Sequence, residues 1–326
     1  MIQKSFVVSL SFIIIITATQ LFCQQITTPR LSPQACIKQT IGISTIEIHY
    51  QRPGVKDRVI WGKLVPYGWS PGVPWGSGNV FPWRAGADEN TTITFSHDVN
   101  INGKPVPAGT YALFVLVEEQ QWTFIFSKNF SSWGSFFYNE AEDALRVTAK
   151  PEMAPHQERL LYGFDQLTDH SSRVFLHWEK LLAGFTAEFD VENIVIQNIK
   201  NELRGRAAFS WQSWLQAAMY CLQFNTNLDL GLGWINKSIQ MNENANNRNI
   251  LGYVLFAMDK QQEGLKIFKE NTEKYPQNWN IWDSLGEGYA KMNDKKNAIK
   301  NYQKALEMAP DGQKQRIRNI LEELKK

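Results

Sequence analysis

Among the side chains able to bind or react, Arg52, Arg84, Asp88, Glu89 and Asn90 fall in two short polar stretches, with His49 just upstream of the first. Two guanidinium groups brought together can hold a carboxylate or phosphate by forked, charge-assisted hydrogen bonds. The same residues have a plainer use: Arg52 and Arg84 would pair with Glu47, Asp88 or Glu89 and pin long loops to the scaffold. Acting with Asp88 or Glu89, His49 would be the general base of a hydrolase, which also needs a nucleophile within hydrogen-bond reach. No G-x-S-x-G turn occurs in the chain. His97, His156, His170 and His177 are scattered, and no C-x2-C pair or clustered thiol–histidine spacing is present. These residues imply no metal and no cofactor, and they favour binding over catalysis.

A second group is aromatic. Trp69, Trp75 and Phe81 stand among Pro71, Gly72, Pro74, Gly76, Gly78 and Pro82. A long, turn-rich stretch of this kind serves as a functional loop whose rings stack on sugars or apolar peptide side chains, or as a flap over an open end of the fold.

The segments that must position these groups have a period of two. Ile46, Ile48 and Tyr50 alternate with Thr45, Glu47 and His49, and Ile93 and Phe95 alternate with Thr92, Thr94 and Ser96. Asn102-Gly103 is a type I′ hairpin signal, since both turn residues need positive φ. Tyr111 to Val117 is too uniformly apolar to have a wet face and reads as a central strand. Further strands are expected over Trp122–Phe126, Leu145–Ala149, Leu160–Phe164, Arg173–Trp178 and Phe185–Phe189. The expected fold of residues 31–190 is an antiparallel β-sandwich.

Beyond Asp190 the period becomes helical, and residues 191–210 read as a linker and capping helix built on Ile194, Ile199 and Leu203. Trp282, Leu285, Gly286 and Tyr289 are then followed by Ala298, Tyr302, Ala305 and Pro310. About 34 residues earlier come Arg248, Leu251, Gly252 and Leu255, then Gly264, Phe268, Asn271 and Pro276. A further step back gives Trp214, Ala217, Ala218 and Cys221, then Gly231, Ile235 and Ser238. This resembles the tetratricopeptide signature, three repeats over residues 211–312 with a C-terminal capping helix at 313–326. Such all-α solenoids dock polypeptides on a concave face. Its expected lining is Leu215, Met219 and Leu222, then Asn249, Tyr253 and Phe256, then Asp283 and Glu287, apolar at one end and polar at the other.

The strand half resembles a family of exported bacterial proteins known only as a domain of unknown function. The matching segments are Ser32-Pro33-x-Ala35, Tyr50-x-Arg52-Pro53-x-Val55-Lys56-x-Arg58, Gly62-x-Leu64-Val65-Pro66-Tyr67-Gly68, Trp83-Arg84-x-Gly86-Ala87-x-Glu89-x-Thr91 and Pro107-Ala108-Gly109-Thr110-Tyr111. The resemblance implies export and a β-rich domain, and no activity. Relative to the family pattern, Trp69 to Pro82 is an insert.

Lys4 precedes an apolar run from Phe6 to Ile16, and residues 1–23 read as a secretory signal peptide. Retention of that segment as an anchor would put the chain at a membrane. Lipidation at Cys23 is disfavoured by Phe22 before it. A net charge of +2 with mixed signs argues against nucleic acid as a partner. The expected protein is exported, to the periplasm or outer cell envelope, and docks a protein partner through its repeats. The alternatives are a glycan or small anionic ligand on the β domain at Arg52, Arg84, Asp88, Glu89, Trp69, Trp75 and Phe81, or the His49 hydrolase.

Overall fold

The computed structural model describes residues 28–326. The expected signal peptide lies outside the described residues. Ten strands build the N-terminal domain: β1 (Gln34–Ile41), β2 (Ser44–Gln51), β3 (Thr92–Phe95), β4 (Val99–Ile101), β5 (Lys104–Val106), β6 (Gly109–Val117), β7 (Trp122–Ser127), β8 (Asp143–Ala149), β9 (Glu152–Asp165) and β10 (Ser171–Glu188). They form a six-stranded sheet, ordered β1-β2-β3-β6-β7-β8, and a four-stranded sheet, ordered β5-β4-β10-β9. Every paired strand is antiparallel. Alternate residues Ile46, Ile48, Phe124 and Phe126 of the first sheet meet Leu160, Tyr162, Trp178 and Phe185 of the second, and this layer is the core.

The turn between β4 and β5 has φ of 48° at Asn102 and 77° at Gly103, as the dipeptide requires. Two strands expected at Arg173–Trp178 and Phe185–Phe189 are instead one. β10 runs through the gap because bulges around Glu179, with φ of 55°, restore its inward alternation. β6 is buried on both faces, as its composition requires. Leu113 and Val115 point into the sandwich, while Ala112 and Phe114 lie in a separate outer layer with Ile125, Tyr138, Trp69 and Phe81. The insert therefore supplies the cover that makes β6 a two-sided strand.

Helix α1 (Val191–Glu202) starts at Asp190, whose carboxylate accepts the Asn193 N–H at 3.2 Å. Val191 and Ile194 pack against the β core, and Ile196 is buried in the helical core. Glu192 bonds Thr226 and Asn227 of the first helical hairpin. The hairpins are α2 (Trp211–Gln223) with α3 (Leu228–Met241), α4 (Ala245–Ala257) with α5 (Gln261–Lys274), and α6 (Trp279–Lys291) with α7 (Lys295–Met308). They are closed by α8 (Asp311–Lys325), which begins two residues before the expected cap at 313. Its buried Ile317 and Leu321 complete the last apolar layer.

The small residues of the repeat mark close approach. A Cβ on Gly252 would lie 2.2 Å from the Phe268 ring, and one on Gly286 would lie 3.0 Å from Tyr302. Cys221 is fully buried, and burial raises its thiol pKa to about 11, so it packs as a small apolar group. Polar repeat positions are used in register too. Ser238 and Asn271 donate to the carbonyls of Trp211 and Ala245, the first residues of their hairpins. Trp214 and Trp282 donate to Ala208 and Pro276, each six residues upstream.

Candidate functional site

The motif segments of the β domain converge on one cleft of about 390 Å³. Lys56 and Arg58 reach it from the chain after β2, Arg84 from the chain before β3, and Ser135 from the loop after β7. All the ionisable side chains in its lining are cationic. One carboxylate, that of Glu158, comes near the rim and accepts the Lys56 N–H at 3.1 Å. Arg58 donates to the carbonyls of Val55 and Gly54. Arg84 lies 4.5 Å over the Phe136 ring and donates to the backbone carbonyl of Asp88 at 2.6 Å. Burial holds its pKa below the ordinary guanidinium value, with the Asp88 charge opposing that shift. Gly134 allows this arrangement: its φ is +60°, and a Cβ there would lie 2.6 Å from the guanidinium carbon.

Under the cleft lies a tryptophan cluster. Trp83 stacks on Trp178 at 5.9 Å, and Trp61 touches Trp83, Trp122 and Trp178 at 5.9, 4.7 and 6.0 Å. The indole N–H groups of Trp61, Trp122 and Trp178 are buried without a hydrogen-bond partner among the described residues. Buried donors left unpaired are uncommon, each costing on the order of 1–3 kcal/mol.

The expected forked pair of Arg52 and Arg84 is not assembled. Arg52 donates to the Leu160 carbonyl at 2.9 Å and ties the chain after β2 to β9. Glu89 takes Arg30 at 2.7 Å and Gln51 at 2.8 Å. Asp88 has φ of 56° and contributes its carbonyl to Arg84. The W-R-x-G-A-x-E-x-T segment is held by Thr91 and Tyr162, whose hydroxyls both donate to the Ala85 carbonyl, at 3.1 and 3.0 Å. Gly86 is required there because a Cβ would sit 2.6 Å from the Thr91 hydroxyl oxygen. Arg52 and the Ala85 carbonyl thus tie two of the signature segments to β9 of the second sheet.

Among the described residues His49 makes no hydrogen bond to Asp88 or Glu89, although it and Glu89 line the same cleft. Its Nε2 lies 2.7 Å from Glu47 Oε1 and 3.5 Å from Cys36 Sγ, so the hydrolase constellation is replaced by a different set. Burial and the Glu47 charge push the Cys36 thiol up, opposite to what an activated nucleophile needs. The sequence reading missed this trio. Its only signal was Cys36 on an alternating strand facing the Glu47-x-His49 strand.

The insert folds back on the sheet. Trp69 contacts Tyr138 at 5.6 Å and Arg146 at 5.7 Å, and Phe81 contacts Phe136 at 5.2 Å. Trp75 meets Phe136 at 4.3 Å by its edge and is otherwise 63% exposed. Two of the three rings expected to stack on a ligand are thus used internally.

The repeat face also needs correction. Leu215, Asn249 and Asp283 are buried rather than open. Asn249 donates to Ser284 at 2.9 Å, and the Tyr253 hydroxyl donates to the Glu287 carboxylate at 2.8 Å. Phe256 stacks on Phe268 at 5.6 Å, and Asp283 accepts from Arg316 of α8 at 2.9 Å. Burial raises the Asp283 pKa against that cation. In a three-hairpin stack, adjacent helices come near enough for inner-face residues to bond one another. Met219 stays 44% exposed and Leu222 half-buried; Phe209 before α2 and Phe224 at its C-terminal end are exposed too.

No curated protein matches this chain. Among solved structures it is similar to the crystal structure of MamA, at 15% identity over 40% of this chain and 84% of that one, with a TM-score of 0.32. It is similar to TTC0263, a thermophilic TPR protein in Thermus thermophilus, at 18% identity over 40% and 70%, TM-score 0.35. The Sgt2 TPR domain from Aspergillus fumigatus matches at 15% identity over 37% and 83%, TM-score 0.33. Residues 32–187 match the model of a family described as protein of unknown function, DUF2911. The β-sandwich of this chain is thus the part that matches the DUF2911 family, over residues 32–187, and it is followed by a solenoid of tetratricopeptide hairpins.

Proposed function

We propose that this protein is a non-catalytic binding protein whose solenoid docks a polypeptide partner through its N-terminal end. One observation carries the reading. The inner residues of the second and third hairpins bond one another, whereas Met219 and Phe224 of the first are 44% and 59% exposed. Large apolar side chains left exposed on a repeat hairpin suit the docking of a partner. They supply the hydrophobic anchor expected at one end of the groove. Tyr253 and Phe256, embedded as they are, would disturb the stack if truncated, so the test falls on Met219 and Phe224. In-cell cross-linking should capture a polypeptide with the wild type and lose it with Met219→Lys or Phe224→Lys at unchanged helix content. Undiminished capture would overturn the assignment. The working place, the periplasm or outer cell envelope, rests on the apolar run Phe6–Ile16, and N-terminal sequencing of the mature protein tests it. Among the described residues no helix is long and apolar enough to cross a membrane.

A second reading concerns the β domain. Lys56, Arg58 and Arg84 around a cleft that Trp83 and Trp178 help to line favour a small anionic ligand there over a glycan. A carboxylate or phosphate oxygen would accept from the cations that line it. Intrinsic tryptophan fluorescence should respond to citrate or inorganic phosphate, and the response should be lost in Arg84→Met. A flat response to both anions removes the support for this reading.

A further inference from the structure

We propose that Cys36, Glu47 and His49 form a binding site for a zinc-type divalent cation on the outer face of the six-stranded sheet. Cys36 of β1 and His49 of β2 are direct cross-strand partners, and Glu47, two residues from His49, shares its face. The hairpin holds eight consecutive residue pairs in register, so the donors stand on a fixed ladder rather than a loop. Their ligand atoms, Sγ, Nε2 and a carboxylate oxygen, all lie within 4.8 Å of one another.

The distances decide how far the site is preformed. Zinc bonds of about 2.3 Å to sulfur and about 2.05 Å to nitrogen, at a tetrahedral angle, separate the two donors by about 3.5 Å. Cys36 Sγ and His49 Nε2 are 3.5 Å apart. The same construction puts a zinc-bound carboxylate oxygen about 3.3 Å from the nitrogen. Glu47 Oε1 is 2.7 Å from it, as a hydrogen bond requires, and must swing outward by about 0.6 Å. The Glu47 side chain is about one-third exposed and has room for that movement. One thiolate, one imidazole and one carboxylate suit zinc or cobalt, whereas magnesium and calcium prefer oxygen donors alone.

Three protein ligands leave a fourth position for water or an incoming donor, the pattern of an open rather than a sealed site. His49 also lines a cleft of about 360 Å³ with Gln34, Glu89 and Trp133. An ion at the trio would stand at the margin of that cleft. Lys38 is the built-in competitor: its ammonium lies 3.3 Å from the other oxygen of Glu47 and offsets the charge that attracts a cation.

The test uses the full chain, reduced and freed of metal. Zinc chloride is titrated against a chromophoric chelator, and cobalt chloride is followed by its thiolate charge-transfer band. Binding should be stoichiometric. Cys36→Ser and His49→Ala should each weaken it by about tenfold or more, and Glu47→Gln by less. Lys38→Gln should tighten it, and Cys221→Ser should leave the cobalt band intact. Far-UV circular dichroism of each variant separates lost ligation from lost fold. Absence of binding, or binding and a cobalt band that survive both Cys36→Ser and His49→Ala, would overturn the site.

Discussion

Two glycines of the solenoid, replaced by the same residue, should change stability in opposite directions. Gly233 lies inside α3, exposed, with nothing within 4 Å of where a Cβ would stand. Gly233→Ala should raise stability by about 0.5–1 kcal/mol, because alanine loses less backbone freedom in a helix interior. Gly252 in α4 enjoys the same gain, but its new methyl would stand 2.2 Å from Cε1 of Phe268. That ring is 1% exposed and wedged against Phe256 at 5.6 Å and Tyr253 at 5.1 Å. Reaching ordinary contact requires a shift of more than 1 Å with no free space to receive it. Overpacking of this kind costs about 1–3 kcal/mol, and after the helix gain Gly252→Ala should lose a net ~1–2 kcal/mol. Urea unfolding followed by the helical far-UV signal would show this as a midpoint about 0.5–1 M lower. Equal midpoints for the two variants, or a lower one for Gly233→Ala, would refute the close-packing argument for the repeat's eighth position.

Further expectations come from the signature residues and the helical cap. Gly86→Ala should destabilise the β domain by about 1–3 kcal/mol, and Thr91→Ala in the same chain should recover part of that by vacating the space; a double-mutant cycle in thermal unfolding measures the coupling. Arg316→Ala should cost about 1–2 kcal/mol at neutral pH, discounted from a fully buried pair because Arg316 is 44% exposed. Asp283 has a folded-state pKa raised above 3.8 by burial, so its contribution is present below that value and lost as pH rises through the folded pKa. The Arg316→Ala deficit should therefore shrink as pH is lowered towards 4, and a constant deficit across pH would refute it.

Periodicity carried the fold. The run Tyr111–Val117 announced a strand dry on both sides, and Asn102-Gly103 announced its turn, because both signals depend on neighbours in sequence. The repeat glycines were equally readable, since close helix approach tolerates few residue types. The sites were less readable for a common reason. Cys36 and His49 meet only through the β1–β2 register, and the indoles under the cleft come from four separate segments. The arginines were visible, but their partners are backbone carbonyls, such as Leu160 for Arg52, which composition does not reveal. The residues expected in the groove lie on α2, α4 and α6, yet Asn249 and Asp283 are spent on Ser284 and Arg316.

Helix α1 has a mechanical consequence. Val191 and Ile194 are rooted in the sandwich, Ile196 in the solenoid, and Glu192 grips the turn of the first hairpin. A pull on a polypeptide held at Met219 would pass along α1 into β10, which lies between β4 and β9 and resists shear through ladders on both sides. The helix is thus the coupling rod of the molecule, and a chain severed after residue 190 would lose the load path together with part of the β core.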